Sequence, residues 1–219
     1  MATTEKAPSP KKGIETFVSP MKDRYVIGKL KQQLKVQSDL RMYLIAILGM
    51  NTGLRIIDIV TMKKSFFINI KVGDQVKVTE QKTGNKRILH INKAIVEAYE
   101  YFMANHKFTD NWKKSEYIFA GRKASNKHEN HMAVTTASKL SKEAINDAFK
   151  ALNRKDERKK KNYSSHSFRK TFGYFLYKDN VPIEIISQKI YGHKSLAITL
   201  LYLDICDDTV IGYLENLNI

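Results

Sequence analysis

The chain has 219 residues, 42% of them hydrophobic, and a single cysteine, Cys206. That is enough for one domain with a real core, and one cysteine excludes an internal disulfide or a multi-cysteine zinc site and fits a reducing, cytoplasmic setting. Lys and Arg number 38 against 22 Asp and Glu, a formal net charge of +16, which points to a polyanionic partner. No apolar run approaches a membrane span and no basic amphipathic helix stands out, so nucleic acid is favoured over a membrane surface.

The chain opens on MATTEKAPSPKKG, which lacks the apolar core of a secretory signal. Residues 1–18 are small and polar, with Pro8, Pro10 and Gly13, and read as a disordered tail. Ser19 as cap and Pro20 at the first helical position predict a helix over about residues 20–36. SDLRMYLIAILGMN, from near Ser38, is apolar on most sides and predicts a central core helix. Thr52-Gly53 ends it, and LRIIDIVTM follows as a short helix. There the period changes. FFINIKV, QVKVTEQ and KRILHI are β-rich runs divided by Gly73-Asp74 and Thr83-Gly84-Asn85, which predicts a small three-stranded antiparallel sheet. Asn92 caps a helix over NKAIVEAYEYFMANH. Residues 106–137 look irregular and basic, with Trp112 and the YIF run as anchors, and SKLSKEAINDAFKALN returns to helical spacing. The charge run RKDERKKKN, residues 154–162, precedes the most informative stretch.

That stretch runs from Ser164 to Ile205. Ser165 suits an N-cap, and Phe168, Phe172, Phe175 and Leu176 then follow at helical spacing. His166 and Arg169, three apart, share one side at the edge of this stripe. Gly173 lies one turn on and leaves the backbone bare. Pro182 opens a second short helix that Gly192 ends, and Ser195 caps a third, LAITLLYLD, which carries Tyr202. After Cys206-Asp207-Asp208 comes a last amphipathic helix, TVIGYLENLNI. The pattern is mostly α with one small antiparallel sheet, an α+β chain without internal repeats.

The chemistry of these groups suits phosphoryl transfer. A guanidinium such as that of Arg169 stays charged and can bridge two phosphate oxygens. Arg55, after the Gly53 turn, is a second such cation, with Asp58 three residues on and able to hold it. His166 and His193 can donate to a phosphate or shuttle a proton. Tyr202 is a nucleophile if cations or a base help its phenol ionise. Lys82 and Lys86 flank the hairpin turn, where lysines ordinarily protect a solvated strand edge. No Asp/Glu cluster of metal-ligand character lies near the stretch, so neither metal nor other cofactor is expected.

His-x-x-Arg, then Gly192-His193, Thr199, and Tyr202 nine residues after His193, resembles the signature of the tyrosine recombinases, the phage-integrase family. Thr52-Gly53-Leu54-Arg55 with Asp58 is similar to that family's first motif. The resemblance covers roughly residues 19–219, which it makes the catalytic domain, with no N-terminal core-binding domain. It implies the fold of DNA breaking–rejoining enzymes and metal-independent cleavage and rejoining of double-stranded DNA through a 3′-phosphotyrosine. Arg55, Lys82, His166, Arg169, His193 and Tyr202 become the catalytic set and Asp58 a supporting residue. Lys82 matches the family's general-acid lysine better than Lys86. Lys86, Arg87, Arg154, Arg158, Lys159, Lys160 and Lys161 are the candidate DNA contacts. The resemblance also implies tetramers on two DNA sites, joined through the C-terminal segment. The alternatives are a nicking-closing enzyme of the type IB topoisomerase kind and a catalytically silent DNA-binding protein on the same fold.

Overall fold

Helix α2 (Arg41–Thr52) is apolar on nearly every side, and Met42, Tyr43, Leu44, Ile45, Ala46, Ile47 and Leu48 are all buried. A helix without a polar face must be covered all round. The computed structural model, which describes residues 18–121, 130–155 and 161–205, shows how. Around α2 pack α1 (Arg24–Lys35), α3 (Ile56–Val60), α4 (Lys93–Asn105), α6 (Val134–Ala151) and α7 (Ser165–Lys178). Each turns a stripe inward; α1 buries Val26, Ile27, Leu30 and Leu34, at the spacing of one helical face. A short α5 (Asp110–Lys114) lies within the irregular stretch.

Several ends differ from expectation for local reasons. Asp23, not Ser19, caps α1, its carboxylate accepting from the Tyr25 N–H at 2.6 Å; a charged acceptor suits the positive end of a helix. Ser164, not Ser165, caps α7, because Ser167 returns a hydrogen bond to the Ser164 N–H and completes a reciprocal cap. Asn92 caps α4 as expected.

The sheet has two strands, not three. β1 (Gln75–Thr79) and β2 (Lys86–His90) pair antiparallel, with Val78 opposite Arg87. The first two residues of the FFINIKV run instead end a 3₁₀ turn, Lys64–Phe67, and Asn69 takes a left-handed conformation at φ 57° that breaks extension. Phe67 stacks on Tyr99 with ring centroids 4.8 Å apart, so its affinity is for the helical core.

The C-terminal part has a smaller core of its own, Ile186, Tyr191, Leu203 and Ile205. It lies under α8 (Ile183–Ile185), the π-helical turn Ile186–Tyr191 that continues it, and α9 (Leu196–Leu203). Pro182 and Gly192 bound the α8 turn as expected. Gly173 does not leave the backbone bare. Tyr191 occupies that space, and its hydroxyl donates to the Arg169 carbonyl at 2.8 Å. A Cβ on Gly173 would stand 2.0 Å from that hydroxyl oxygen. Tyr191 thereby joins the small core to α7. No helix among the described residues is long and apolar enough to cross a membrane.

Gly173→Ala should destabilise the fold, although alanine ordinarily gains about 1 kcal/mol over glycine in a helix. The overlap with Tyr191 should outweigh that gain and cost about 1–3 kcal/mol net, as overpacking does. Urea unfolding measures it, and a stabilised variant would show that Tyr191 does not occupy this space.

Candidate active site

The site is built around a carboxylate. Strand alternation places Val76, Val78 and then Glu80 on the inner face of β1, and Arg87 and Leu89 on the inner face of β2. Glu80 is 4% exposed. Its Oε2 accepts from Arg55 Nη1 at 2.6 Å and from Thr83 Oγ1 at 2.8 Å. Its Oε1 accepts from Arg87 Nη1 at 3.3 Å and lies 3.8 Å from Arg169 Nη1. Three guanidiniums from three elements thus meet on one anion. Burial pushes the carboxyl up, but Thr83, Arg55 and Arg169 more than offset it and hold the group below the usual range.

Each arginine has a different local origin. Gly53 ends α2 in the left-handed region, φ 63°, and turns the chain so that Arg55 starts α3 with its side chain half-exposed. Arg169, on α7, is 3% exposed. It donates to the Gly53 carbonyl and, at 3.4 Å, to that of Ile190. Its guanidinium lies 4.8 Å from the centre of the Tyr191 ring. Arg169 therefore ties the end of α2 to the C-terminal turn.

The two histidines differ in how they are held. His166 stands exposed at the start of α7. Burial by its surroundings lowers its pKa, and the charges of Arg169, Lys170, Arg55 and Lys82 add to the effect. His193 is more fixed. Its Nδ1 lies 2.9 Å from Thr199 Oγ1, and Thr199 in turn donates to Ser187 Oγ at 2.9 Å. With the Thr199 proton so committed, the threonine oxygen accepts, and His193 carries its proton on Nδ1. In the neutral ring Nε2 is then the acceptor. Burial, then Arg169, Arg55 and Lys170, lower this pKa as well.

Tyr202, on α9, is half-buried, with the His193 ring 5.1 Å away and edge-on at 77° and the Tyr191 ring 4.9 Å away at 61°. Lys170 Nζ lies 4.2 Å from its ring centre. Burial raises its phenol pKa, while Arg169 and Arg55 pull the value back. Tyr191, the neighbouring rival, is buried with its hydroxyl committed to Arg169, and burial drives its pKa far upward. Tyr213 lies outside the described residues.

Other expected residues fall elsewhere. Asp58 does not hold the Arg55 guanidinium. Its Oδ1 accepts from the Gln81 N–H at 2.7 Å, because Glu80 already occupies Arg55; Asp58 anchors the base of the hairpin turn instead. Lys82 is exposed in that turn, within electrostatic reach of His166. Lys86 faces outward on β2, but Arg87 does not: strand parity turns it in to Glu80 and to the Thr52 carbonyl at 3.0 Å. Arg87 is thus a strut of the arginine cluster rather than an outward phosphate contact. Arg154 pairs with Asp23, and Lys161 with Asp204 at 2.6 Å. Arg158, Lys159 and Lys160 lie outside the described residues. Sequence reading missed Glu80 and Lys170. The alternation of QVKVTE would have placed Glu80 inward with Val76 and Val78.

Glu80→Gln keeps the shape and removes the charge. Because it leaves three guanidiniums without their anion, it should cost about 3–5 kcal/mol of stability, the range for breaking a buried ion pair. The carboxyl pKa is lowered in the fold, so this stabilisation is complete above the ordinary value of 4.5 and is lost as pH falls through the folded value. Urea midpoints against pH test both points: the variant should be weaker at pH 7 and show a flatter acid limb. An unchanged midpoint would remove Glu80 from its central role.

Comparison with known proteins places the chain in a family. The sequence model described as the phage integrase family matches residues 25–208. The chain is 29% identical over 198 residues to the "Probable integrase/recombinase YoeC" of Bacillus subtilis (strain 168), covering 88% of this chain and 93% of that one. Its fold is similar to that of XerA recombinase, with a TM-score of 0.65 at 19% identity, over 96% of this chain and 68% of the other. It is also similar to XerH site-specific recombinase bound to palindromic difH substrate, with a TM-score of 0.63 at 16% identity, over 91% of this chain and 53% of the other. The family-model match over residues 25–208 shows that this helical chain with a small antiparallel sheet belongs to the phage integrase family, the tyrosine recombinases.

Proposed function

We propose that this protein cuts and rejoins double-stranded DNA through a covalent 3′-phosphotyrosine on Tyr202. The observation that carries the reading is the chain of contacts from Tyr202 through Tyr191 and His193 to Arg169, and through Glu80 to Arg55. A scissile phosphate set against this cluster would have both guanidiniums on its nonbridging oxygens, where charge develops in the transition state. Tyr202 Oη attacks phosphorus, and the bond to the 5′ oxygen breaks. The phenolic proton passes to His166, whose neighbouring cations keep it neutral and able to accept. His193, oriented by Thr199, takes up a proton on Nε2 once the phosphate charge lies beside it, and donates that proton to a nonbridging oxygen. Lys82, at the tip of the hairpin, gives its proton to the departing 5′ oxygen. The ester retains the energy of the phosphodiester, so rejoining requires no nucleotide. Because side-chain cations supply the electrostatics, the reaction is expected to proceed in excess EDTA.

We further propose that the protein works in the cytoplasm as a self-associated complex on paired sites. XerH was solved on a palindromic substrate, and a palindrome offers two equivalent half-sites. Leu196, Ile198 and Leu201 leave an exposed apolar edge on α9; the C-terminal helix that sequence reading assigns to protomer contact lies outside the described residues.

Tyr202→Phe should abolish the covalent adduct on a nicked DNA substrate while DNA affinity stays near wild type. The adduct is read as a shifted band in a denaturing gel, in EDTA and without ATP. A normal adduct in this variant would move the nucleophile elsewhere, to Tyr213 first. Lys82→Ala should slow cleavage by about two to four orders of magnitude, the span of one general acid. A substrate with sulfur at the 5′ bridging position has a leaving group that needs little protonation. It should restore Lys82→Ala to near the wild-type rate and leave Arg55→Ala and Arg169→Ala slow. If sulfur rescues Lys86→Ala instead, the acid belongs to the other side of the turn.

A further inference from the structure

Lys170 has no role in the reaction as derived above, and its placement is costly. It follows Arg169 on α7 and is 4% exposed. Burying an ammonium without an anion opposes folding, and among the described residues its Nζ makes no ion pair. The acid nearest in effect, Asp204, has its carboxylate engaged by Lys161 at 2.6 Å and Lys22 at 3.6 Å. The remaining charged or titratable neighbours are cations and histidines: Arg169 beside it in sequence, and His166 and His193, both of which feel its charge. What Lys170 does face is the ring of Tyr202, with Nζ 4.2 Å from the centroid.

We propose that Lys170 is a positioning residue for the nucleophile, its ammonium gripping the Tyr202 ring by a cation–π contact and holding α9 against α7. The inference rests on Tyr202 being the nucleophile. The geometry supports it from two sides. Tyr191 and His193 bound the ring at centroid distances of 4.9 and 5.1 Å, and Lys170 supplies a third contact from α7. The contact is electrostatic, so it requires the charged amine, and the same charge favours the phenolate that attacks. Desolvation draws the Lys170 pKa down to about 8. The grip is therefore present below that pH and released above it.

The test uses the full chain, with wild type compared to Lys170→Met and Lys170→Arg. Lys170→Met should slow adduct formation on the order of tenfold, the scale of one desolvated cation–π contact, with DNA affinity little changed. Lys170→Arg should recover most of the rate and, staying charged, should outlast wild type as pH rises past about 8. Without DNA, Lys170→Met should melt at a higher temperature than wild type at pH 7, because the buried charge is gone. A physical readout stands apart from activity. 4-Fluorophenylalanine at position 202 does not itself titrate, and its fluorine resonance should step near pH 8 in the wild-type background and not in Lys170→Met.

A flat fluorine resonance in the wild-type background overturns the proposal, and this needs no substitution at 170 to fold. Equal loss of rate in the Met and Arg variants, uniform across pH and with lowered melting temperatures, also overturns it, since packing alone gives that result. A wild-type adduct in Tyr202→Phe is a different failure: it removes the nucleophile assignment while leaving the fluorine measurement of the ring contact intact.

Discussion

One buried carboxylate makes the site possible. Arg55, Arg87 and Arg169 come from α3, β2 and α7, and without an anion between them their charges would repel at close range. Glu80 neutralises one of the three charges and leaves a surplus of about two, with Arg55 the most solvent-open of the three guanidiniums. A site that is partly neutralised stays folded without DNA and still attracts phosphate. Full neutralisation would remove the attraction, and none at all would disperse the arginines.

The residual positive field also acts on the protonation of its neighbours. Burial first, and then the cations, push His166 and His193 toward their neutral forms, and the Tyr202 phenol, raised by burial, is drawn partway back by Arg169 and Arg55. A phosphate entering the cluster brings negative charge against His193 and favours its protonated form. DNA binding is then coupled to proton uptake, and the site is primed only when the substrate is present. This suits an enzyme whose intermediate is a broken strand, because a site at rest lacks the protons it needs to cut.

The residues proposed to bear chemistry stood out in the sequence because their spacing is rigid. His166 and Arg169 lie on one helix, and the Gly192–Tyr202 interval is set by a turn and two turns of helix. Thr199 is explained in the structure by the proton it sends to Ser187, which fixes the tautomer of His193. The partners of these residues were less legible because they are remote in sequence. Asp58, three residues from Arg55, looked like its partner, but the true partner is 25 positions away. The third strand failed for a related reason: FFINIKV has strand composition, yet Phe67 finds its stacking partner on α4 and Asn69 turns the chain. Local propensity yielded to tertiary packing in each case.

The hairpin explains why such distant partners are held so firmly. It carries Glu80, which gathers the arginines, and two residues later Lys82, the proposed acid. Asp58 fixes the intervening Gln81 N–H, and Arg87 crosses from the opposite strand to the same carboxylate and to the end of α2. A shift of this hairpin would therefore move the acid and loosen the arginines together. The proposed leaving-group protonation and charge stabilisation are coupled through three residues of backbone, Glu80 to Lys82. Their geometry depends on a strand register rather than on flexible side chains, and a register either holds or slips by a whole residue.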